Sequence, residues 1–149
     1  MYPKVLVAID GSPTSDAAVD EAITLAKEQG SMLRLVHVVD AGPAYLNADT
    51  PFQLDEYERA LYKAGEQILE TALAKVRVKG LEAETKLIQI VTINEHAADE
   101  LVAEAQRWPA DLIVVGTHGR RGFRHLLLGS VAEGVIRSAN QPVLLIRAS

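Results

Sequence analysis

Residues Asp111 to Arg147 read DLIVVGTHGRRGFRHLLLGSVAEGVIRSANQPVLLIR. The short apolar run Asp111–Val115 has the density of β-branched residues expected of a buried strand. A long connection rich in glycine and arginine follows, and SVAEGVIRSA then takes up helical spacing. Asn140-Gln141-Pro142 ends that helix, and a second apolar run, Val143–Arg147, reads as another strand. A strand, a crossover and a strand of this length build a parallel pair, because parallel neighbours need a connection long enough to return the chain to the same end.

The same alternation extends upstream. Lys4–Ile9, KVLVAI, is a near-continuous apolar run closed by Asp10-Gly11, and Ser12-Pro13 supplies an N-cap with proline at the first helical position. Ala18, Ala22 and Ala26 beside Val19, Ile23 and Leu25 give that helix a small-residue face, and Lys27 and Gly30 mark its end. A second strand spans Met32–Asp40. The connection Ala41–Asp55 is long and polar, and reads as a variable loop, with a flap or partner surface as the alternative. Asp55–Lys79 forms the longest helix, with Tyr57, Leu61, Ile68, Ala72 and Val76 on its apolar face. Leu81–Val91 holds a third strand. Asn94 is the expected N-cap of a helix whose face is Ala97, Ala98, Leu101, Val102 and Ala105, and Trp108-Pro109 ends it. The order βαβαβαβαβ implies an α/β fold: an open, twisted, parallel five-stranded sheet in three layers with helices on both faces, and no internal domain boundary over residues 1–149. In such sheets ligands bind beyond the carboxyl ends of the strands. The informative loops follow strands one, two and four.

Composition narrows the function. The formal charge is −5 and only 5% of the 149 residues are aromatic, which argues against a general nucleic-acid binder. The arginines gather instead at Arg120, Arg121 and Arg124, as if for one small anion. No cysteine is present, so no thiolate site or disulfide exists, in keeping with a cytoplasmic setting. No run reaches the length of a membrane span.

Backbone N–H groups freed by glycine, together with the positive end of a helix, make Gly116–Ser130 a phosphate cradle. It is not a Walker A motif, since no Gly-Lys-Ser/Thr ends it. It is not a dinucleotide fingerprint either, because Gly116, Gly119 and Gly122 are wrongly spaced and follow the fourth strand. Ser130-Val131-Ala132-Glu133 also reads as a capping box, in which the hydroxyl serves a backbone N–H. Leu126, Leu127 and Leu128 read as anchors of the loop on the core. Asp10 stands equally well as a ligand-facing carboxylate and as an Asx turn with Gly11. His37 reads as a hydrogen-bonded core histidine and His96 as solvated in a helix's first turn. His118 and His125 are placed to meet phosphate but lack the spacing of a metal site. No catalytic triad or carboxylate pair can be assigned from spacing.

These residues carry a resemblance. VLVAIDGS at the start, LVHVVD at the second strand and ADLIVVGTHGRRGFRHLLLGSVAEGVIRSANQPVLLIR at the end make the whole chain similar to the universal stress protein family, small single-domain type. That family's nucleotide signature is Gly, two residues, Gly, nine residues, Gly, then Ser or Thr. Here Gly116, Gly119, Gly129 and Ser130 fill it. The resemblance implies a Rossmann-like sheet in the order 3-2-1-4-5, related to the adenine nucleotide alpha hydrolases, and a homodimer joined along the fifth strand, 143–147. By position, Ala8, Ile9 and Asp10 would lie beside adenine and ribose, and Val38 would wall the adenine. Gly116, His118, Gly119 and Arg120 would approach ribose and phosphates, and Gly129, Ser130, Val131 and Ala132 would cradle the phosphates. ATP, AMP or cAMP would be the ligand. Mg²⁺ or Mn²⁺ would ride on the phosphates, with Asp10 nearby, rather than in a protein cage. The chain departs from the family's pattern at Val91–Glu95, where many members carry a glycine.

The expected function is therefore an adenine-nucleotide-binding regulator of a stress response that acts through an unidentified protein partner, with neither nucleic acid nor membrane as target. The alternatives are a slow ATPase using Arg120, Arg121 and His118 to offset charge on the γ-phosphate, and a nucleotide-independent dimerisation module.

Overall fold

A computed structural model describes residues 1–118 and 128–148. Five strands form one parallel sheet: β1 (Lys4–Ala8), β2 (Met32–Asp40), β3 (Ala83–Ile90), β4 (Leu112–Gly116) and β5 (Val143–Ile146). Their order is β3-β2-β1-β4-β5. The strand order reverses at β1, where β2 lies on one side and β4 on the other, with Val5 in register with both Leu33 and Leu112.

The apolar runs divide between two cores by the period of two along each strand. Val5, Val7, Leu33, Leu35, Leu112 and Val114 face α1 (Pro13–Gln29) and α3 (Pro51–Val78). Leu6, Ala8, Val36, Ile88, Ile113 and Val115 face α4 (Ala97–Arg107) and α5 (Ser130–Ser138). A sheet covered on both faces needs continuous rather than alternating hydrophobicity, and the sequence has it. Toward the amino ends of the strands, the buried carboxylate of Glu104 is met by Arg34 at 3.0 Å and Arg107 at 3.2 Å. The Arg34 guanidinium also lies 4.8 Å from the centre of the Trp108 ring.

Three local expectations are corrected. The segment 41–55 is largely helical: α2 (Gly42–Asn47) follows β2 directly, and α3 begins at Pro51. Its start is a variant of the capping box, with the return bond one residue before the N-cap Thr50. Thr50 Oγ1 accepts from Gln53 N at 3.1 Å, and Gln53 Oε1 accepts from Asp49 N at 2.9 Å. The signal, Thr-Pro-Phe-Gln, is plain in the sequence but is hidden by its polar setting. Second, α4 starts one turn's fraction later than expected, with His96 rather than Asn94 at its N-cap and no side-chain cap bond. Third, Ser130 is not the cap of α5. Gly129 is, and Ser130 is the first helical residue. The Glu133 carboxylate, which a capping box would turn back to the N-terminus, pairs with Arg137 at 2.6 Å.

Candidate nucleotide-sized cavity at the carboxyl edge

The carboxyl ends of β1, β2 and β4 and the amino end of α5 converge on a cavity of about 590 Å³. Each wall has a local cause. At the end of β1, Asp10 Oδ1 accepts from Ser12 N at 2.9 Å, the Asx turn anticipated for Asp10-Gly11. Ser15 Oγ accepts from Asp10 N at 3.0 Å, and Ser12 Oγ accepts from Ser15 N at 3.2 Å as the N-cap of α1. Gly11 has φ 81°, the left-handed conformation this turn requires. The turn therefore fixes Asp10 at the cavity edge.

The β2 wall is set by side-chain alternation. Val38 faces the α4/α5 side and is half-buried, whereas His37 points the other way, under α3. His37 Nδ1 lies 2.8 Å from the Ile9 carbonyl. A carbonyl only accepts, so Nδ1 carries the proton. His37 is thus the hydrogen-bonded core histidine the sequence indicated, and it holds the last residue of the β1 run in place.

The β4 wall depends on close approach. A Cβ on Gly116 would stand 2.8 Å from Thr14 Oγ1 and 3.0 Å from the Thr14 carbonyl carbon. Only glycine lets β4 pass the first turn of α1 at this distance. The Thr14 hydroxyl then donates to the His118 carbonyl. Thr117 closes the other end, its carbonyl accepting from Gly129 N at 2.7 Å. The two ends of the β4–α5 connection are thus held together at one point. Because Gly129 N is already paired, the N–H groups left without helical partners are those of Ser130, Val131 and Ala132, the first turn of α5. These face the cavity, and the helix dipole adds its positive end there.

Of the residues singled out in the sequence, Ala8, Ile9, Asp10, Val38, Gly116, His118, Gly129, Ser130, Val131 and Ala132 all line this one cavity. Gly119 and Arg120 lie outside the described residues, as do Arg121, Arg124, His125, Leu126 and Leu127. Thr117 Oγ1 and His118 Nδ1 are 3.0 Å apart. His118 Nε2 is buried and has no hydrogen-bond partner among the described residues.

Ser12, Ser15, Asp40, Ala97 and Leu101 also line the cavity and were missed as site residues. Ser12 and Leu101 had been read only as a cap and as a core position, because a residue's neighbours across the sheet leave no mark on local sequence. Leu128 overturns its reading as an anchor: it is exposed and borders the cavity. The two carboxylates here are Asp10 and Asp40, each with one oxygen already accepting a backbone N–H, from Ser12 and Gly42 respectively. No group of three potential metal ligands occurs among the described residues.

Comparison with known proteins places this arrangement. The family model described as the universal stress protein family matches residues 1–147. A universal stress protein of Bacillus subtilis is 37% identical, with 99% of this chain and 100% of the relative covered. One from Methanocaldococcus jannaschii is 34% identical over 99% of this chain and 83% of the relative. Among solved structures, a universal stress protein from Burkholderia pseudomallei superposes with a TM-score of 0.77 at 34% identity, covering 97% of this chain and 96% of that one. Two further family structures were solved with adenine nucleotides. One is in complex with cAMP, at 28% identity, 99% and 98% coverage and a TM-score of 0.69. The other, from Archaeoglobus fulgidus, is in complex with dAMP, at 26% identity, 98% coverage of both chains and a TM-score of 0.64. With the parallel 3-2-1-4-5 sheet, a family match across 147 residues and relatives above 30% identity along nearly its whole length, this chain belongs to the universal stress protein family.

Proposed function

We propose that the cavity binds an adenine nucleotide, with ATP the fullest occupant, and that the protein is a nucleotide-dependent regulator rather than a catalyst. The observation that carries this reading is the convergence of Asp10, Val38, Gly116, His118 and the three first-turn N–H groups of α5 on one 590 Å³ cavity. Val38, Ala8 and Val115 supply an apolar side suited to a flat base. The amino end of α5 supplies donors and a positive field for phosphate. His118 Nε2 supplies a buried polar atom with no hydrogen-bond partner among the described residues. The family members solved with cAMP and dAMP support the choice of adenine.

Mg²⁺ or Mn²⁺ fits this site only as a passenger on the phosphates. Asp10 and Asp40 each have an oxygen committed to the backbone, and a hard divalent ion asks for about six oxygen ligands. When bound, such an ion would offset phosphate charge. Asp10 and the α5 N-terminus would orient the nucleotide around it.

The test uses Ser130→Asp. A carboxylate in the first turn favours the α5 dipole, so the fold is retained. The same charge stands where the phosphates would lie. By calorimetry, ATP affinity should fall by about tenfold or more, roughly 1.4 kcal/mol, with an unchanged melting temperature in the absence of nucleotide. Equal ATP binding by the wild type and the variant would remove the site assignment.

A further inference from the structure

We infer that the α2–α3 end of the molecule docks a basic amphipathic segment of a partner protein. The 28 residues of α3 outrun the sheet they pack on. Its buried stripe, Gly65, Leu69, Ala72 and Val76, begins only at the fifteenth residue, so the first half of the helix contributes no fully buried residue. Four of the chain's seven aromatic residues, Tyr45, Phe52, Tyr57 and Tyr62, fall in this end and all are exposed. Leu46 and Phe52 are 74% and 69% exposed, and Ile93 in the facing loop is 59% exposed. Such groups are costly to leave in water and are the usual anchors of protein interfaces.

The pieces form one surface. Tyr45 on α2 lies close enough to Glu58 on α3 for that carboxylate to raise the pKa of its hydroxyl, which sets the two helices side by side. Gly42 at the start of α2 sits so close to the 92–93 backbone that a Cβ there would lie 3.6 Å from the Thr92 carbonyl oxygen and 3.7 Å from Ile93 Cα.

Charge commits the occupant. Between Asp40 and Glu58 the chain carries five acidic residues and neither Lys nor Arg, and between Val91 and Glu100 it carries three and none. The whole chain is −5, so the remainder is net positive and the negative charge is gathered here. An apolar patch with aromatic anchors and a surround that is mostly acidic, with Arg59 and Lys63 beside Tyr62 as its cations, selects an apolar segment flanked by Lys or Arg, and disfavours an acidic one or an anionic membrane surface. The surface also adjoins the cavity: Asp40 and Ala97, which line it, are the residues from which α2 and the 91–96 loop depart. The docking surface is independent of what the cavity holds.

The experiment uses two labelled 18-residue peptides with leucine at helical spacing, one carrying lysine on the polar face and the other glutamate. Fluorescence anisotropy is followed as the full chain is added, without nucleotide. The lysine peptide should bind, more weakly as salt rises, and the glutamate peptide should not. Leu46→Ser with Phe52→Ser should weaken lysine-peptide binding at least tenfold at an unchanged circular dichroism spectrum. Asp55→Lys with Glu56→Lys leaves the apolar anchors in place and should shift preference toward the glutamate peptide, so the proposal stays testable if the first variant fails to fold. Equal binding of both peptides, or binding indifferent to both variants, overturns it. So does sedimentation showing that the wild-type patch is covered by a second copy and released by Leu46→Ser with Phe52→Ser. Running the same titrations on Ser130→Asp separates this result from any failure of the nucleotide reading.

Discussion

At Gly116 one missing side chain sets the distance between two elements. Its hypothetical Cβ would meet both the hydroxyl and the backbone of Thr14, and the backbone of α1's first turn has no rotamer with which to yield. Gly116→Ala should therefore lower the unfolding free energy by about 1–3 kcal/mol, the usual cost of overpacking, measured by urea denaturation. Because Thr14 also donates to the His118 carbonyl, the shift should reach the cavity, and nucleotide affinity should drop as well. Full stability in the alanine variant would show that the contact is not tight in solution. Gly116 was singled out in the sequence for its place in a nucleotide signature. Its packing role was not legible, because Thr14 lies more than one hundred positions away.

The same close approach recurs between whole elements. A Cβ on Gly134 in α5 would come within 2.5 Å of Ala98 Cβ in α4, so the two helices pack in contact along small residues. Gly134→Ala should force them apart and cost about 1–3 kcal/mol, while Ala98→Gly should be destabilising chiefly through its helix propensity, by about 1 kcal/mol. If the contact is as drawn, the double variant recovers part of the first loss, and the two changes are not additive when measured together. Additive losses would place the helices further apart. Helix existence was readable here from the apolar period of Ala97, Ala98, Leu101, Val102 and Ala105. Helix ends were less so: Asn94 and Ser130 both looked like caps, yet His96 and Gly129 hold those positions. A cap is chosen by where the preceding loop enters, and the Gly129 N bond to the Thr117 carbonyl decides that for α5.

For the molecule as a whole, β5 is the sheet's outer strand, paired among the described residues with β4 alone. The Ile113 N–H donates to the Pro142 carbonyl at 3.0 Å and the Thr117 N–H to the Ile146 carbonyl at 2.9 Å. Alternation along the strand then directs Leu144 toward β4 and the backbone groups of Val143 and Leu145 toward the open edge. An unpaired apolar edge is a template for pairing, and the homodimer along β5 proposed from the family resemblance would use it. Leu145→Pro removes an outward N–H while leaving the ladder to β4 intact. If the dimer forms here, the variant sediments as a folded monomer at concentrations where the wild type is dimeric. An unchanged dimer would move the interface elsewhere.

The sequence by itself determined the parallel α/β architecture and the strand positions. Those follow from a local cause: near-continuous apolar runs demand a sheet buried on both faces. Tertiary structure alone decided that Asp10, Val38, His118 and Ser130 share one cavity, that Asp40, Ala97 and Leu128 join them, and that the first half of α3 contributes no fully buried residue. Those are facts about which strand lies beside which and how far a helix outruns its sheet, and they are set by packing between residues far apart in the chain.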